Sequence, residues 1–193
     1  MRRITVVVIC TLTLALCAGY AAAQTAPPAD TLKVDYFSNA NTAGAPDGTF
    51  RITNPGTAGG SLCAAIYVFD SAQELSECCE CYVSPDGLRT LSVNSDLTSN
   101  PLTGVTLSTG VIKVVSTPTK SARTCAYLPI SINPTAGLRS WTTHIQNSNF
   151  AITETASQDA TLSAAEVKRL QGECYGVQLD GSEHGVCSCG WGD

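Results

Sequence analysis

The chain has little charge. Of its 193 residues only 14% are Asp, Glu, Lys or Arg, and the 11 Lys and Arg, adjacent only at Arg2-Arg3 and Lys168-Arg169, stand against 16 Asp and Glu. Such a distribution lacks the clustered cationic patch that nucleic acid requires, and it disfavours attraction to anionic membrane surfaces. Aromatic residues make up only 6%, so a sugar-stacking platform built from Trp141, Trp191 and Tyr175 would be small. Beyond the N-terminus no apolar run approaches the roughly 18–20 residues that cross a bilayer. Imidazole is confined to His144 and His184. The paired Cys-x-x-Cys spacing of a zinc ribbon and the Cys-x-x-Cys-His of covalent haem are absent.

What the N-terminus does have is an export signature. Arg2 and Arg3 precede an uncharged run from Ile4 to Cys17, and Ala21-Ala22-Ala23 stands before Gln24. A positive start, a short apolar stretch and a small-x-small site predict a signal peptide over 1–23, cleaved between Ala23 and Gln24. The "LALC" ending at Cys17 opens like a lipobox, but Leu16 occupies the place of a small residue. The expected product is secreted, to the extracellular space or the periplasm, with no membrane span.

Residues 24–30, "QTAPPAD", form an extended, flexible leader. Turn signals then recur at short intervals in "GAPDG", "NPGTAGG", "SPDG", "SNPLTG" and "NPTAG". Between them lie runs rich in Val, Ile, Thr, Tyr and Phe. Strands are expected near 31–37, 48–53, 62–69, 80–84, 88–94, 105–108, 111–116, 123–132, 138–146 and 149–154. "LCAAIYVF" at 62–69 is apolar on both faces and reads as a central strand. "SPDG" is expected to fold "CYVS" back on "LRTLSV" as a hairpin, with Gly87 at positive φ. The pattern predicts a mainly β chain: an antiparallel β-sandwich, immunoglobulin-like or Greek-key, over 31–158. Residues 159–193 follow as a helix plus Cys-rich appendage. Ser163 and Glu166 form a capping box for a helix at 161–171, which Gly172 is expected to end.

Eight cysteines follow the signal peptide: Cys63, Cys78, Cys79, Cys81, Cys125, Cys174, Cys187 and Cys189. An even count in an exported chain points to disulfides. Adjacent Cys78 and Cys79 point to opposite sides of an extended chain, so each should take a different partner. Among Cys174, Cys187 and Cys189, one internal bridge and one bridge back to the sandwich are expected. The competing chemistry is a thiol-based metal or redox module centred on Cys78, Cys79, Cys81, Cys187 and Cys189, in which "CCEC" and "HGVCSC" could supply zinc or an iron–sulfur cluster, with Cys187, Cys189 and His184 as the candidate metal ligands.

"GTFRITNPGTAGGSLCAAIYVFD", "ECCECYVSPDGLRTLSVNSDLTSNPL" and "LSAAEVKRLQGECYGVQLDGSEHGVCSCG" together cover most of residues 48–193. In these segments the chain resembles a group of exported, functionally uncharacterised proteins of acidobacterial type, marked by Cys-Cys-x-Cys and Cys-x-Cys. The resemblance implies a shared fold and no known activity.

Catalytic motifs are sparse. "GGSLC" around Ser61 has Cys63 where a nucleophile elbow carries its second Gly. His144 is expected on an outward strand position and His184 in a solvated turn. Asp70, Glu74, Glu77 and Glu80 offer carboxylates for glycoside hydrolysis, with Glu74 and Glu77 sharing a face if 71–77 is helical. Asp180, Ser182 and Glu183 resemble a fragment of a calcium loop without its remaining ligands. The leading expectation is a non-catalytic surface, adhesive or assembly component without a cofactor, open to self-association or a surface ligand. The alternatives are an exported hydrolase on polysaccharide or peptide and the thiol module.

Overall fold

The computed structural model describes residues 30–190. The expected signal peptide, its expected cleavage point at Ala23 and Gln24, the expected leader apart from Asp30, and Trp191 lie outside the described residues. The strands are β1 (Leu32–Phe37), β2 (Thr49–Thr53), β3 (Leu62–Asp70), β4 (Leu75–Val83) and β5 (Leu88–Ser92), then β6 (Gly110–Pro118), β7 (Arg139–Gln146), β8 (Ala151–Ala156) and β9 (Gln158–Ala160). One helix, α1 (Ala164–Asp180), follows them. A five-stranded sheet runs β4-β3-β6-β1-β9 and a four-stranded sheet β5-β2-β7-β8, with every strand pair antiparallel. The fold is an antiparallel β-sandwich.

The apolar run at 62–69 becomes β3, flanked by β4 and β6 and buried from Leu62 to Phe69. Ala64, Ile66 and Val68 face the second sheet and pack with Phe50, Ile52 and Leu91. Ala65, Tyr67 and Phe69 face the other way, into a second core with Leu162, Leu170, Cys174 and Val177 from α1 and its approach. The larger sheet is therefore covered on both sides, which is why β3 shows no alternation. Each fully buried Ile or Leu in these cores contributes about 1.5–3 kcal/mol. The Tyr67 hydroxyl donates to Pro129 O at 3.0 Å, and burial pushes the phenol well above its ordinary pKa.

The expected hairpin does not form. Gly87 N donates to Ser84 O, so the turn exists, but β4 pairs with β3 and β5 pairs with β2 in the other sheet. Cys79, Cys81 and Val83 of β4 and Leu91 of β5 all belong to the inter-sheet core. Their apolar sides must face each other across the sandwich, which side-by-side pairing in one plane would prevent. Positive φ falls on Asp86 (58°) rather than on Gly87. Gly87 is required for another reason: a Cβ there would lie 2.6 Å from Ser84 Oγ.

Several boundaries differ from expectation. Strand β4 starts at Leu75, because Asp70 to Glu74 close a tight turn with Gln73 at φ 71°. The 71–77 segment is thus not helical. Residues 105–108 and 123–132 carry no strand, and within the latter Pro129 lacks the N–H a ladder needs. Strand β9 was not foreseen; the chain leaves β8 in one sheet and reaches β9 in the other across Ser157. Strand β1 lies between β6 and β9 and completes its own chain's sheet.

Helix α1 runs through Gly172 to Asp180. Leu170, Cys174 and Val177 make its buried stripe, and both Gly172 and Gly176 sit on the solvent side. There they lower helix propensity by about 1 kcal/mol each relative to Ala without breaking the packing. Gly181, at φ 65°, ends the helix in the left-handed conformation. Ser163 Oγ caps the helix by accepting from Glu166 N, while the Glu166 carboxylate turns to Lys113 and Arg169 instead of closing the box.

Candidate functional site

The unusual feature is how the C-terminal tail is held. Cys78 N donates to Gly185 O at 2.8 Å and Cys187 N to Cys78 O at 3.3 Å, placing residues 185–187 as a short parallel strand beside β4. Strand β4 is otherwise an edge, and an uncovered edge invites pairing with another chain. Two disulfides then rivet the added strand, Cys79–Cys187 and Cys81–Cys189, with Cα–Cα distances of 5.2 and 5.4 Å. Both span 108 positions, the equal offset that a parallel register produces. The spacing i and i+2 on each strand puts both sulfurs of each side on one face.

Cys78 points to the opposite face and joins Cys174 of α1, and Cys63 of β3 joins Cys125 in the loop after β6. All three C-terminal cysteines therefore bond to β4. The expected internal bridge among Cys174, Cys187 and Cys189 is absent, because the extended tail turns Cys187 and Cys189 toward β4 while α1 carries Cys174 to its other face.

The tail borders a cleft of about 560 Å³ lined by Glu80, Asn100, Tyr127, His184 and, from the ladder of sulfurs that the two bridges form, Cys79, Cys187 and Cys189. Asn100 organises it. Its amide Nδ2 donates to Glu183 O and Val186 O, its Oδ1 lies 2.9 Å from His184 Nδ1, and its backbone O accepts from Gly185 N. Its backbone N donates to Glu77 Oε1 at 2.8 Å. Glu77 is fully buried, its other oxygen has no partner among the described residues, and burial, partly opposed by that N–H, raises its pKa to about 7. Arg89 donates from Nη1 to Cys189 O and fixes the tail's end. Tyr127, 75% exposed, is the aromatic that the sequence did not mark, since nothing in its local pattern shows that the loop brings it to the tail.

The other candidates do not assemble. Glu80 faces away from Glu77 and is held by the Thr117 hydroxyl and Ala126 N at 2.7 Å each; Asp70 Oδ1 accepts from Glu74 N. No two of these carboxylates face each other across a cleft among the described residues. Ser61 Oγ bonds Tyr82 Oη. Asp180 and Ser182 bond each other at the helix end, beside Glu183. Trp141 lies on the smaller sheet and Tyr175 on α1, against the far face of the larger one, so they form no joint platform.

His144 is not outward. It lies on β7, 2% exposed, stacked on Tyr36 of β1 at 4.2 Å. Its Nε2 meets Thr155 Oγ1 at 2.7 Å and Asp35 Oδ1 at 3.5 Å, and Ser157 donates to the same Asp35. A hydrolytic triad needs the carboxylate and the nucleophile on opposite imidazole nitrogens. Here hydroxyl and carboxylate share Nε2, while Nδ1 has no partner among the described residues. The cluster instead joins the two sheets on the side away from the ladder.

Comparison of the chain with protein-family models, with curated proteins and with solved structures finds no match. Among the described residues no helix is long and apolar enough to cross a membrane.

Proposed function

We propose that this is an exported, non-catalytic surface component that assembles through the open edge of its smaller sheet. The observation that carries the reading is β8: all six of its residues are exposed, and among the described residues it pairs only with β7. Its other edge offers unpaired backbone groups to a strand of a neighbouring copy. Glu154, its only charged residue, is already paired with Arg51, so no unpaired edge charge repels a second copy. The contrast with β4, whose edge is covered and riveted, supports β8 as the contact element. Export is supported by the signal sequence together with four disulfides, which suit an oxidising compartment. The proposed kinship with the acidobacterial-type group rests on the Cys-Cys-x-Cys and Cys-x-Cys motifs, which in this chain lie on the two sides of one joint.

Thr153→Lys in the secreted protein should lower the oligomeric fraction in light scattering at unchanged Tm. Wild-type protein that stays monomeric at every concentration, or assembly indifferent to the lysine, contradicts the reading. A second reading, a hydrolase or ligand-binding cleft, is favoured by His184 held on Asn100 at the cleft wall. It predicts that turnover or binding of a polysaccharide or peptide is lost in His184→Ala.

A further inference from the structure

We propose that the sulfur ladder is a zinc site in its reduced form, held by Cys79, Cys81, Cys187 and Cys189. The inference goes beyond the surface role and does not depend on it. The Sγ atoms of Cys79, Cys81 and Cys189 already lie within 4.8 Å of one another, and Cys187 is bonded to Cys79. Tetrahedral zinc with Zn–S bonds of ~2.3 Å sets its sulfurs ~3.8 Å apart. Once both disulfides open, the bonded pairs Cys81–Cys189 and Cys79–Cys187 need only separate to that spacing, a shift that side-chain rotation supplies.

The joint survives loss of its covalent bonds because the tail has independent anchors. Cys78 N to Gly185 O, Cys187 N to Cys78 O, Gly185 N to Asn100 O, Ser188 N to Asp96 O and Arg89 Nη1 to Cys189 O all remain when the sulfurs separate. These bonds keep the Cys-x-Cys of the tail in parallel register with the Cys-x-Cys of β4. The cleft beside Cys79, Cys187 and Cys189 gives an ion a way in. The Arg89 guanidinium at the tail's end places positive charge near a site that carries net negative charge when filled.

The chemistry balances. Each disulfide, one phosphine and one water give two thiols and one phosphine oxide; a dithiol reductant does the same by becoming a disulfide itself. Four thiols and Zn²⁺ then give the tetrathiolate complex and release four protons. Soft thiolate sets of this kind select zinc over calcium or magnesium.

The test uses the whole mature protein, reduced with a phosphine under native conditions, with and without one equivalent of zinc chloride. Native mass spectrometry should show one zinc per chain. Zinc should also slow alkylation of Cys79, Cys81, Cys187 and Cys189 by about tenfold or more, while the labelling rates of Cys63, Cys78, Cys125 and Cys174 stay the same with and without it. The double variant Cys79→Ser with Cys189→Ser should lose the metal, and Cys63→Ser with Cys125→Ser should keep it. Equal labelling of all eight thiols with and without zinc overturns the proposal. So does zinc retained undiminished by the Cys79/Cys189 variant. If reduction alone unfolds the sandwich, zinc should restore its near-UV circular dichroism, and failure to do so counts against the site equally.

Discussion

At the scale of single residues, Glu77 is the most consequential side chain whose burial the sequence did not reveal. Four carboxylates near 70–80 look alike as letters, yet one is fully buried and three lie in a turn or on the opposite face. Burial holds its folded pKa near 7, above the ordinary 4.5, so the folded state binds this proton more tightly than the unfolded chain does. Its contribution to stability is therefore greatest below about pH 4.5 and declines as pH rises to about 7, by on the order of 3 kcal/mol. Glu77→Gln should abolish that decline, seen as urea midpoints that no longer fall across this range. A wild-type midpoint that rises between pH 5 and 7 would contradict the burial argument. Glu166 has the opposite sign: the Arg169 hydrogen bonds, helped by Lys113 and opposed by partial burial, hold its pKa near 2. Its contribution is present above the ordinary carboxyl value and is lost as pH falls toward 2. The burial of His144 was equally hidden, because the residue that packs on it, Tyr36, lies far away in sequence on β1.

At the scale of elements, local chemistry was legible and pairing was not. Ser163 announces the helix start, and its Oγ does accept from Glu166 N at 3.1 Å. Ser163→Ala should cost about 1 kcal/mol, measurable as a lowered urea midpoint. Gly172 misled because a glycine on the solvent side of a helix stops nothing when Leu170, Cys174 and Val177 are anchored beneath it. The true stop, Gly181, was distinguishable only by where that buried stripe ends. The turn at Pro85 and Asp86 could be read, but whether the chain folds back beside itself or crosses to the other sheet depends on which apolar faces must meet. Removing the Cys78–Cys174 bridge by a double serine replacement frees α1 from β4 and should cost about 2–5 kcal/mol. Because Leu170 and Val177 keep their burial, the helix itself should remain, and far-UV circular dichroism should be nearly unchanged.

At the scale of the whole molecule, the sandwich is closed differently on its two sides. One side has the buried polar cluster of Asp35, His144, Thr155 and Ser157; the other has the tail riveted along β4. The sandwich class was legible from short strands and dense turns, since those depend on local patterning. The tail's place was not, since eight cysteines allow 105 pairings and only the strand register selects one. The central claim is that register: Cys79 with Cys187 and Cys81 with Cys189, in parallel. Its most direct test is mass spectrometry of the protein without residues 1–23, alkylated without reduction and then fragmented, with the disulfides intact, between Cys78 and Cys79, between Cys79 and Cys81 and between Cys187 and Cys189. The account predicts no alkylation, a mass eight hydrogens below the all-thiol form, and fragments linking 79 to 187, 81 to 189 and 78 to 174. A Cys79–Cys189 or Cys81–Cys187 link, a Cys187–Cys189 link, or Cys174 joined to either tail cysteine would contradict it.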